Sequence, residues 1–522
     1  MRRFSIAFLG LALSSAFPAS AQEGGNTDEM KSLLAAGYKA AFICSATFNA
    51  GKPRDAIEAN ELTGIYPDYR AEFAKLARDR VDMTRKTVSV RYSRSAPPRV
   101  AAWREGMGCS LLPPGADISS ASYLPRFGGW RSAGETDNAS GIGDNVSVSL
   151  NTEFFEVLDA PVTFAFDGTT YGGGTKTSAI VIAQDGQVVA ERYDRGIDAV
   201  TPQRTWSVAK SITATVLGAA VQDGILGLDN PAVIDAWSSG ADPRRSITLR
   251  NLLQMASGLD SGVSGSRTDR IYFGGGRVVD HAMNRILEAD PGTRFKYANN
   301  DTLMAMRALR ETLGDDTRYH TYPYQEVLWK IGAMRTTLET DWNGDFISSS
   351  QVWTTARDLA RIGQLYIQKG RWGNEQIIHP NWIKFVSTPG AAQPAGDSFR
   401  YGGQFWLLGN QPGVPSDAFA AMGHRGQYLV IIPSRKTVIV RRGYDESGGG
   451  RFDIAGFTRD ITRALDAANA RASEAEQAER DAAQAAYEAE LAEYNERYGK
   501  RGEGSGRRTY TAGERMKRGV GK

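Results

Sequence analysis

Apolar residues recur at helical spacing over residues 26–46, where Met30, Leu33, Leu34, Tyr38, Ala41 and Phe42 define an amphipathic helix leading into Cys44. A second helix is expected over 71–80, and short strands over 87–92 and 100–103. Residues 113–144 are rich in Gly, Ser and Pro and read as irregular. The texture changes at Ser178. Two apolar runs, 178–183 and 188–193, are joined across Gln184-Asp185-Gly186-Gln187, and Asp-Gly at that place marks a tight hairpin, because glycine accepts the positive φ the turn needs. A helix from Ser207 has Val208, Ile212, Val216, Leu217 and Ala220 as apolar positions and stops at Gly224. Further helices are expected over 246–259 with Thr248 as N-cap and Gly258 past the end, over 302–313, over 354–369, and over 380–387. In the third of these Leu359, Ile362, Leu365 and Tyr366 face inward, and Thr355 with Asp358 makes a variant capping box. Strands return at 401–408, 427–432 and 437–442, the last two turned at 433–436. A sheet whose first strands precede a helical block and whose last strands follow it closes antiparallel, without repeated βαβ units.

The C-terminal part has a different pattern. Residues 471–498 are rich in Ala and Glu with no apolar stripe and read as a solvated helix. Residues 499–522 carry many Gly, no aliphatic run and eight Lys/Arg against two Glu, the pattern of a disordered basic tail. A solubilising role suits it, with weak contact to acidic envelope polymers as the alternative.

The N-terminus changes the compartment. Arg2 and Arg3, an apolar run over 4–13 and Ala19-Ser20-Ala21 compose a secretory signal, too short to stay as a membrane anchor. The reading is an exported protein, periplasmic or secreted, with no transmembrane segment. At 41% hydrophobic the 522 residues can bury a large core, and a net charge of +3 implies no affinity for nucleic acid or for membranes. The two cysteines, Cys44 and Cys109, favour one disulfide in an exported chain, two buried thiols being the alternative. The four histidines (His281, His320, His379, His424) are scattered without H-E-x-x-H, so no metal site is expected. Neither G-x-x-x-x-G-K-[ST] nor G-x-G-x-x-G occurs, and no cofactor is expected; G-x-S-x-G, the nucleophile elbow of the α/β-hydrolases, is missing too.

Three constellations can carry chemistry. Ser207 and Lys210 lie one helical turn apart, so the amine can reach the hydroxyl. Lys serves as a base only if burial or a nearby cation lowers its pKa from about 10. Among fifteen lysines this is the one with Ser three residues before it, about the number chance supplies, so taken alone the pair reads better as a capping Ser beside a surface Lys. Tyr297-Ala298-Asn299 follows a Pro-Gly turn; a phenol beside an ammonium can lose its proton below its usual pH, and the Asn can hold a carbonyl or orient the Lys. The alternative is a half-buried Tyr beside a turn Asn. His424-Arg425-Gly426-Gln427 enters the strand at 427–432. Gly426 would allow close approach of a substrate backbone, and the Gln427 amide could join that of Ser207 in an oxyanion hole; an ordinary turn is the alternative.

In that order S-V-A-K (207–210), Y-A-N (297–299) and H-R-G (424–426) resemble the three motifs of the serine β-lactamase and penicillin-binding superfamily, in its class C-like branch of esterases and amide hydrolases. The connecting phrases SITLRNLLQMASGL, PGTRFKYANND and TTARDLARIGQLY are similar as well, over roughly 178–442. Cys44 and Cys109 look like the cysteine pair of an exported subgroup with this kind of extension. The resemblance implies an α/β fold of α+β type: an antiparallel sheet flanked by helices, an all-helical subdomain and an N-terminal extension. It further implies an acyl-enzyme on Ser207, with Lys210 and Tyr297 sharing proton transfer, Asn299 positioning substrate and Lys210, and the Ser207 and Gln427 amides holding the oxyanion. One departure bears on substrate. The family usually carries Lys where His424 stands, a cation that helps to hold a carboxylate, and an unperturbed His is mostly neutral above pH 7. Arg425 could compensate. The expectation is therefore a small-molecule ester or linear amide as substrate. The alternatives are β-lactamase, D-Ala-D-Ala carboxypeptidase or D-aminopeptidase activity, or a non-catalytic relative that binds a cell-wall ligand. The expected organisation is a signal (1–21), an N-terminal extension (22–170), a hydrolase domain (171–466), a charged helix (467–498) and the tail (499–522).

Overall fold

The computed structural model describes residues 28–64, 67–126, 128–130, 152–262, 269–396 and 399–498. The expected signal and basic tail lie outside those residues.

Helix α1 (Asp28–Phe48) is buried on two sides. Leu34, Tyr38 and Phe42 join the main core, whereas Ala36, Ala40, Ile43 and Cys44 pack on a small antiparallel sheet. That sheet runs in the order β1 (Arg80–Asp82), β2 (Thr87–Val90), β3 (Arg99–Arg104), β4 (Gly108–Leu111). Cys44 and Cys109 are bonded, with Cα atoms 6.1 Å apart, tying α1 to β4. The helix expected at 71–80 is shifted to Pro67–Lys75, and Arg80 already begins β1; between them Asp79 is paired with Arg54 and Lys39. Helix α2 (Thr152–Phe166), with Pro161 inside it, fills a stretch for which the sequence suggested no element. Its Leu158, Val162 and Ala165 pack on the main sheet, although they fall before residue 171, in the stretch expected as the N-terminal extension.

Among the described residues the main sheet has seven antiparallel strands. In chain order these are β5 (Thr177–Gln184) and β6 (Gln187–Tyr193), then, after β7 (Gln203–Arg204), α3 (Val208–Gln222), α4 (Asn299–Leu313), β8 (Thr337–Leu338), β9 (Val352–Thr354) and α5 (Ala356–Ile367), the strands β10 (Arg400–Tyr401), β11 (Trp406–Leu407), β12 (Phe419–Gly423), β13 (Gln427–Ile432) and β14 (Thr437–Gly443). In space they lie as β10-β11-β12-β13-β14-β5-β6, so the C-terminal strands close onto the first hairpin, as the antiparallel expectation required. Asp185 and Gly186 turn that hairpin with φ of 50° and 81°. Val181, Leu429, Ile431, Val438 and Val440 belong to the core shared with α3 and α5, while Ile180, Ile182, Val430, Ile432 and Ile439 face α2 and the start of α6 (Ile454–Tyr498). Burial on both faces is why these strands read as continuous apolar runs.

Three expectations change at element ends. The helix foreseen over 246–259 is only Leu249–Leu253, capped by Thr248 with Asn251 in a full capping box and stopped where Met255 takes a φ of 57°. The strand foreseen at 401–408 is two, β10 and β11, paired with each other. The charged helix is no separate element, because α6 runs unbroken from buried Ile454, Phe457, Ile461 and Leu465 into its solvated end.

Candidate active site

The site begins with a short strand and a forced turn. β7 pairs with β9, Gln203 opposite Thr354 and Arg204 opposite Trp353, which aims the chain at the N-terminus of α3. Trp206 then adopts a φ of 51°, a left-handed conformation unfavourable for a bulky side chain. It is held by the Arg204 guanidinium 3.9 Å above its ring and by the His424 ring 5.0 Å away at 79°. Ser207 stands at the N-cap position, half-buried and reachable, whereas Lys210 in the first turn is buried.

Lys210 Nζ reaches three oxygens: Ser207 Oγ at 3.1 Å, Asn299 Oδ1 at 2.5 Å and the Ser349 carbonyl at 2.8 Å. Burial pushes the ammonium down to about 7. A neutral amine has two hydrogens and one lone pair. With the Asn299 and Ser349 oxygens accepting the hydrogens, the lone pair faces the Ser207 hydroxyl, the arrangement a general base needs. Asn299 is thus brought to Lys210 by the start of α4, and the Ser349 carbonyl is a partner with no side-chain signature in the sequence.

Tyr297 also lies at Ser207, whose side chain hydrogen-bonds to its phenol, and its ring centroid is 5.1 Å from Lys210 Nζ. The expectation of an acidified phenol does not hold: burial raises Tyr297 above its ordinary value, and the bond from Ser207 offsets that only in part. Near neutral pH the phenol keeps its proton, and the amine is the group able to accept one. Tyr297 stacks on Trp406 with centroids 5.5 Å apart, and Tyr401 packs edge-on to Trp406 at 4.8 Å, so the flank of the site is aromatic. Trp406 and Tyr401 fall in a stretch read only as a strand, and nothing in their spacing ties them to Tyr297.

The third motif is the turn of the β12–β13 hairpin, and here the backbone roles differ from expectation. Gly423 pairs with Gln427 at the head of the hairpin. The Ala418 carbonyl accepts from the Leu408 amide, so even-numbered β12 residues direct their backbone groups towards β11 and odd-numbered ones towards β13. By that alternation the Gln427 amide belongs to the pair with Gly423 and does not face Ser207. Its side chain is buried as well, accepting from Arg442 Nε at 2.7 Å and donating to the Gly443 carbonyl at 2.5 Å. β11 starts at Trp406, opposite Ala420, and so leaves the edge of β12 open beyond that point. The amides that follow on that edge are those of Met422 and His424, and the His424 ring lies against Trp206, the residue before Ser207.

Gly426 is likewise displaced from the expected role. A β-carbon there would lie 2.2 Å from Asp445 Oδ2 and closer still to Arg441, so it makes room for the buried Arg441–Asp445 ion pair, not for substrate. The glycine that permits close approach at the site is Gly423, where a β-carbon would fall 2.4 Å from the Thr205 carbonyl and 3.2 Å from the Val208 nitrogen. Arg425, φ 61°, turns its guanidinium away to the carbonyls of Asn60 (2.5 Å), Tyr444 (3.0 Å) and Asp445 (3.1 Å). It is not placed to replace a missing Lys.

An antiparallel sheet against a helix that presents Ser and Lys one turn apart, with a Tyr and an Asn delivered from a second helix start, defines the β-lactamase/transpeptidase-like class of folds. The chain belongs to the Beta-lactamase family, whose model matches residues 164–441. It is 25% identical over 322 residues to a 6-aminohexanoate-dimer hydrolase of Paenarthrobacter ureafaciens, a match covering 56% of this chain and 80% of that protein. Among solved structures, a Bacillus anthracis protein named as a 6-aminohexanoate-dimer hydrolase aligns at 22% identity and TM-score 0.48 over 67% of this chain and 89% of its own. A family VIII carboxylesterase aligns at 17% identity and TM-score 0.47 over 60% of this chain and 97% of its own. The relatives are hydrolases of amides and esters within this family.

Proposed function

We propose that the protein is an exported serine hydrolase that opens an ester or a linear amide through an acyl-enzyme on Ser207. The observation that carries the reading is Lys210, buried, pushed down to about 7 and 3.1 Å from Ser207 Oγ. Neutral Lys210 takes the Ser207 proton as the oxygen attacks the substrate carbonyl. The developing oxyanion lies between the amides of Ser207 and His424. Protonated Tyr297 gives its proton to the leaving oxygen or nitrogen and recovers one from Lys210, so the amine is neutral again when water enters. Water then attacks the acyl carbonyl by the same route, releasing the acid and Ser207.

The lack of a committed cation at the third motif favours esters and linear amides over β-lactams and D-Ala-terminal peptides. Arg425 is occupied by three carbonyls, and His424 packs on Trp206. A relative named as a 6-aminohexanoate-dimer hydrolase supports the same reading. The test is a panel of p-nitrophenyl esters, linear amides, nitrocefin and D-Ala-terminal peptides given to the mature protein and to Ser207→Ala. Turnover of esters or amides that disappears in Ser207→Ala, with acyl mass trapped on the Ser207 peptide, is expected. Equal turnover by the two proteins would end the reading, and tight ligand binding without acylation would replace it with a non-catalytic binding role.

A further inference from the structure

The N-terminal layer touches the site at three places. Phe42 of α1 lies 5.8 Å from Trp206, with the Arg204 guanidinium over both rings. Glu339, which follows β8, accepts from Ser45 (2.6 Å), Asn49 (2.8 Å) and the Cys109 amide (3.0 Å) beside the disulfide. Its own backbone pairs with Gln351 and Ile347, the segment that offers the Ser349 carbonyl to Lys210. The third contact is polar and buried. Lys52, whose amide is bonded to the Ala46 carbonyl two residues beyond Cys44, pairs with Glu61 at 2.6 Å, both side chains at most 4% exposed. Tyr444 donates to the same carboxylate at 3.1 Å and is bonded to the Lys52 amine. One residue before Glu61, the Asn60 carbonyl receives the Arg425 guanidinium, whose carbon lies 5.3 Å from the Tyr444 ring centroid.

We propose that the Lys52–Glu61–Tyr444 cluster is a positioning device for catalysis: it holds the 424–426 turn through Arg425, and so sets the amide that faces Ser207. Arg425 and Gly426 both have left-handed φ, 61° and 74°. An arginine keeps that conformation only when its surroundings determine it, and the carbonyls that do so come from two separate stretches, 60 and 444–445. Removing the anchor at Asn60 lets the turn relax to a geometry in which the amide no longer points at an oxyanion. Burial works against the Lys52 ammonium, yet the Glu61 carboxylate holds it above its ordinary value, so the pair stays charged and keeps its geometry across the working range.

The inference rests on Ser207 being the nucleophile. Its test uses the mature full chain and compares wild type with Arg425→Met, Arg425→Lys, Tyr444→Phe and the charge-neutral double variant Lys52→Met/Glu61→Gln on one p-nitrophenyl ester, well below each unfolding midpoint. Arg425→Met and the double variant are expected to lose at least tenfold in kcat with KM within threefold. The midpoint of the pH profile should stay at its wild-type place, because nothing around Lys210 changes, and Arg425→Lys should recover part of the loss. Tyr444→Phe, the mildest change, is expected to lose severalfold in kcat and decides the matter if the others do not fold. A kcat within twofold of wild type in the folded variants, or a loss confined to KM, overturns the positioning role. Wild type without Ser207-dependent turnover would instead remove the hydrolase reading itself.

Discussion

The pH profile of ester hydrolysis separates the two groups that could take the Ser207 proton. With Lys210 at about 7, activity requires the neutral amine, so kcat/KM should rise with pH and level off above neutrality. The neutral fraction is about 3% at pH 5.5 and about 90% at pH 8, so the rate should grow roughly 30-fold over that interval and less than about 1.2-fold from pH 8 to 9. An unburied Lys, or Tyr297 as the base, predicts a different curve. Burial raises the Tyr297 phenol, so as a base it would give a rate climbing about tenfold per pH unit through 8 and 9. The measurement is kcat/KM for a p-nitrophenyl ester from pH 5 to 9.5, corrected for the spontaneous rate, with stability checked at each end. A plateau by pH 8 supports Lys210. A rate still climbing tenfold per unit at pH 9 would refute the argument that burial has tuned this amine.

The same burial makes Lys210→Met a probe of stability. Folded Lys210 binds its proton less readily than the unfolded chain does, so raising the pH stabilises wild type relative to the variant; the effect is complete above about 10.5 and lost as pH falls to about 7. Between pH 7.5 and 9.5 wild type should gain up to about 2.7 kcal/mol on Lys210→Met in urea unfolding, and parallel curves would contradict it. Gly423→Ala places a methyl 2.4 Å from the Thr205 carbonyl; overpacking of this kind costs about 1–3 kcal/mol. Here it should appear as a drop of about tenfold or more in kcat/KM, whereas Gly426→Ala should chiefly lower the unfolding midpoint by disturbing Arg441 and Asp445. Replacing Cys44 and Cys109 by Ser opens a loop of 65 residues, which corresponds to about 4 kcal/mol, to be read as a lowered unfolding midpoint that reductant no longer changes.

How much of the site could be read from the chain depends on which atoms do the work. Ser207, Lys210 and Asn299 contribute side chains from helix starts, and the structure gathers them because the spacing on α3 and the turn before α4 are local matters. The Ser349 carbonyl could not be read, since any residue supplies one. The Gln427 amide, expected at the oxyanion, lies in the pair with Gly423, and the reason is how a hairpin works. Which amides turn outward is set by the parity of the pairing register, and the Ala418–Leu408 bond, six residues before His424, sets that parity together with the Gly423–Gln427 pair. Gly426 and Arg425 misled in a related way. Their types suit a substrate pocket, but both are engaged on the far side of the turn, Gly426 against the Arg441–Asp445 ion pair and Arg425 with the carbonyls of Asn60, Tyr444 and Asp445. The motif therefore has two faces. Gly423 packs against Thr205 and Val208 on either side of Ser207, while the Arg425 side chain binds the turn to Asn60 in the N-terminal layer. A lysine at position 424 would still have Trp206 as its neighbour, and Arg425 would still be engaged. Sensitivity to carboxylate-bearing substrates should thus change with His424→Lys alone, and a variant at Arg425 should alter the rate on neutral and anionic esters by the same factor.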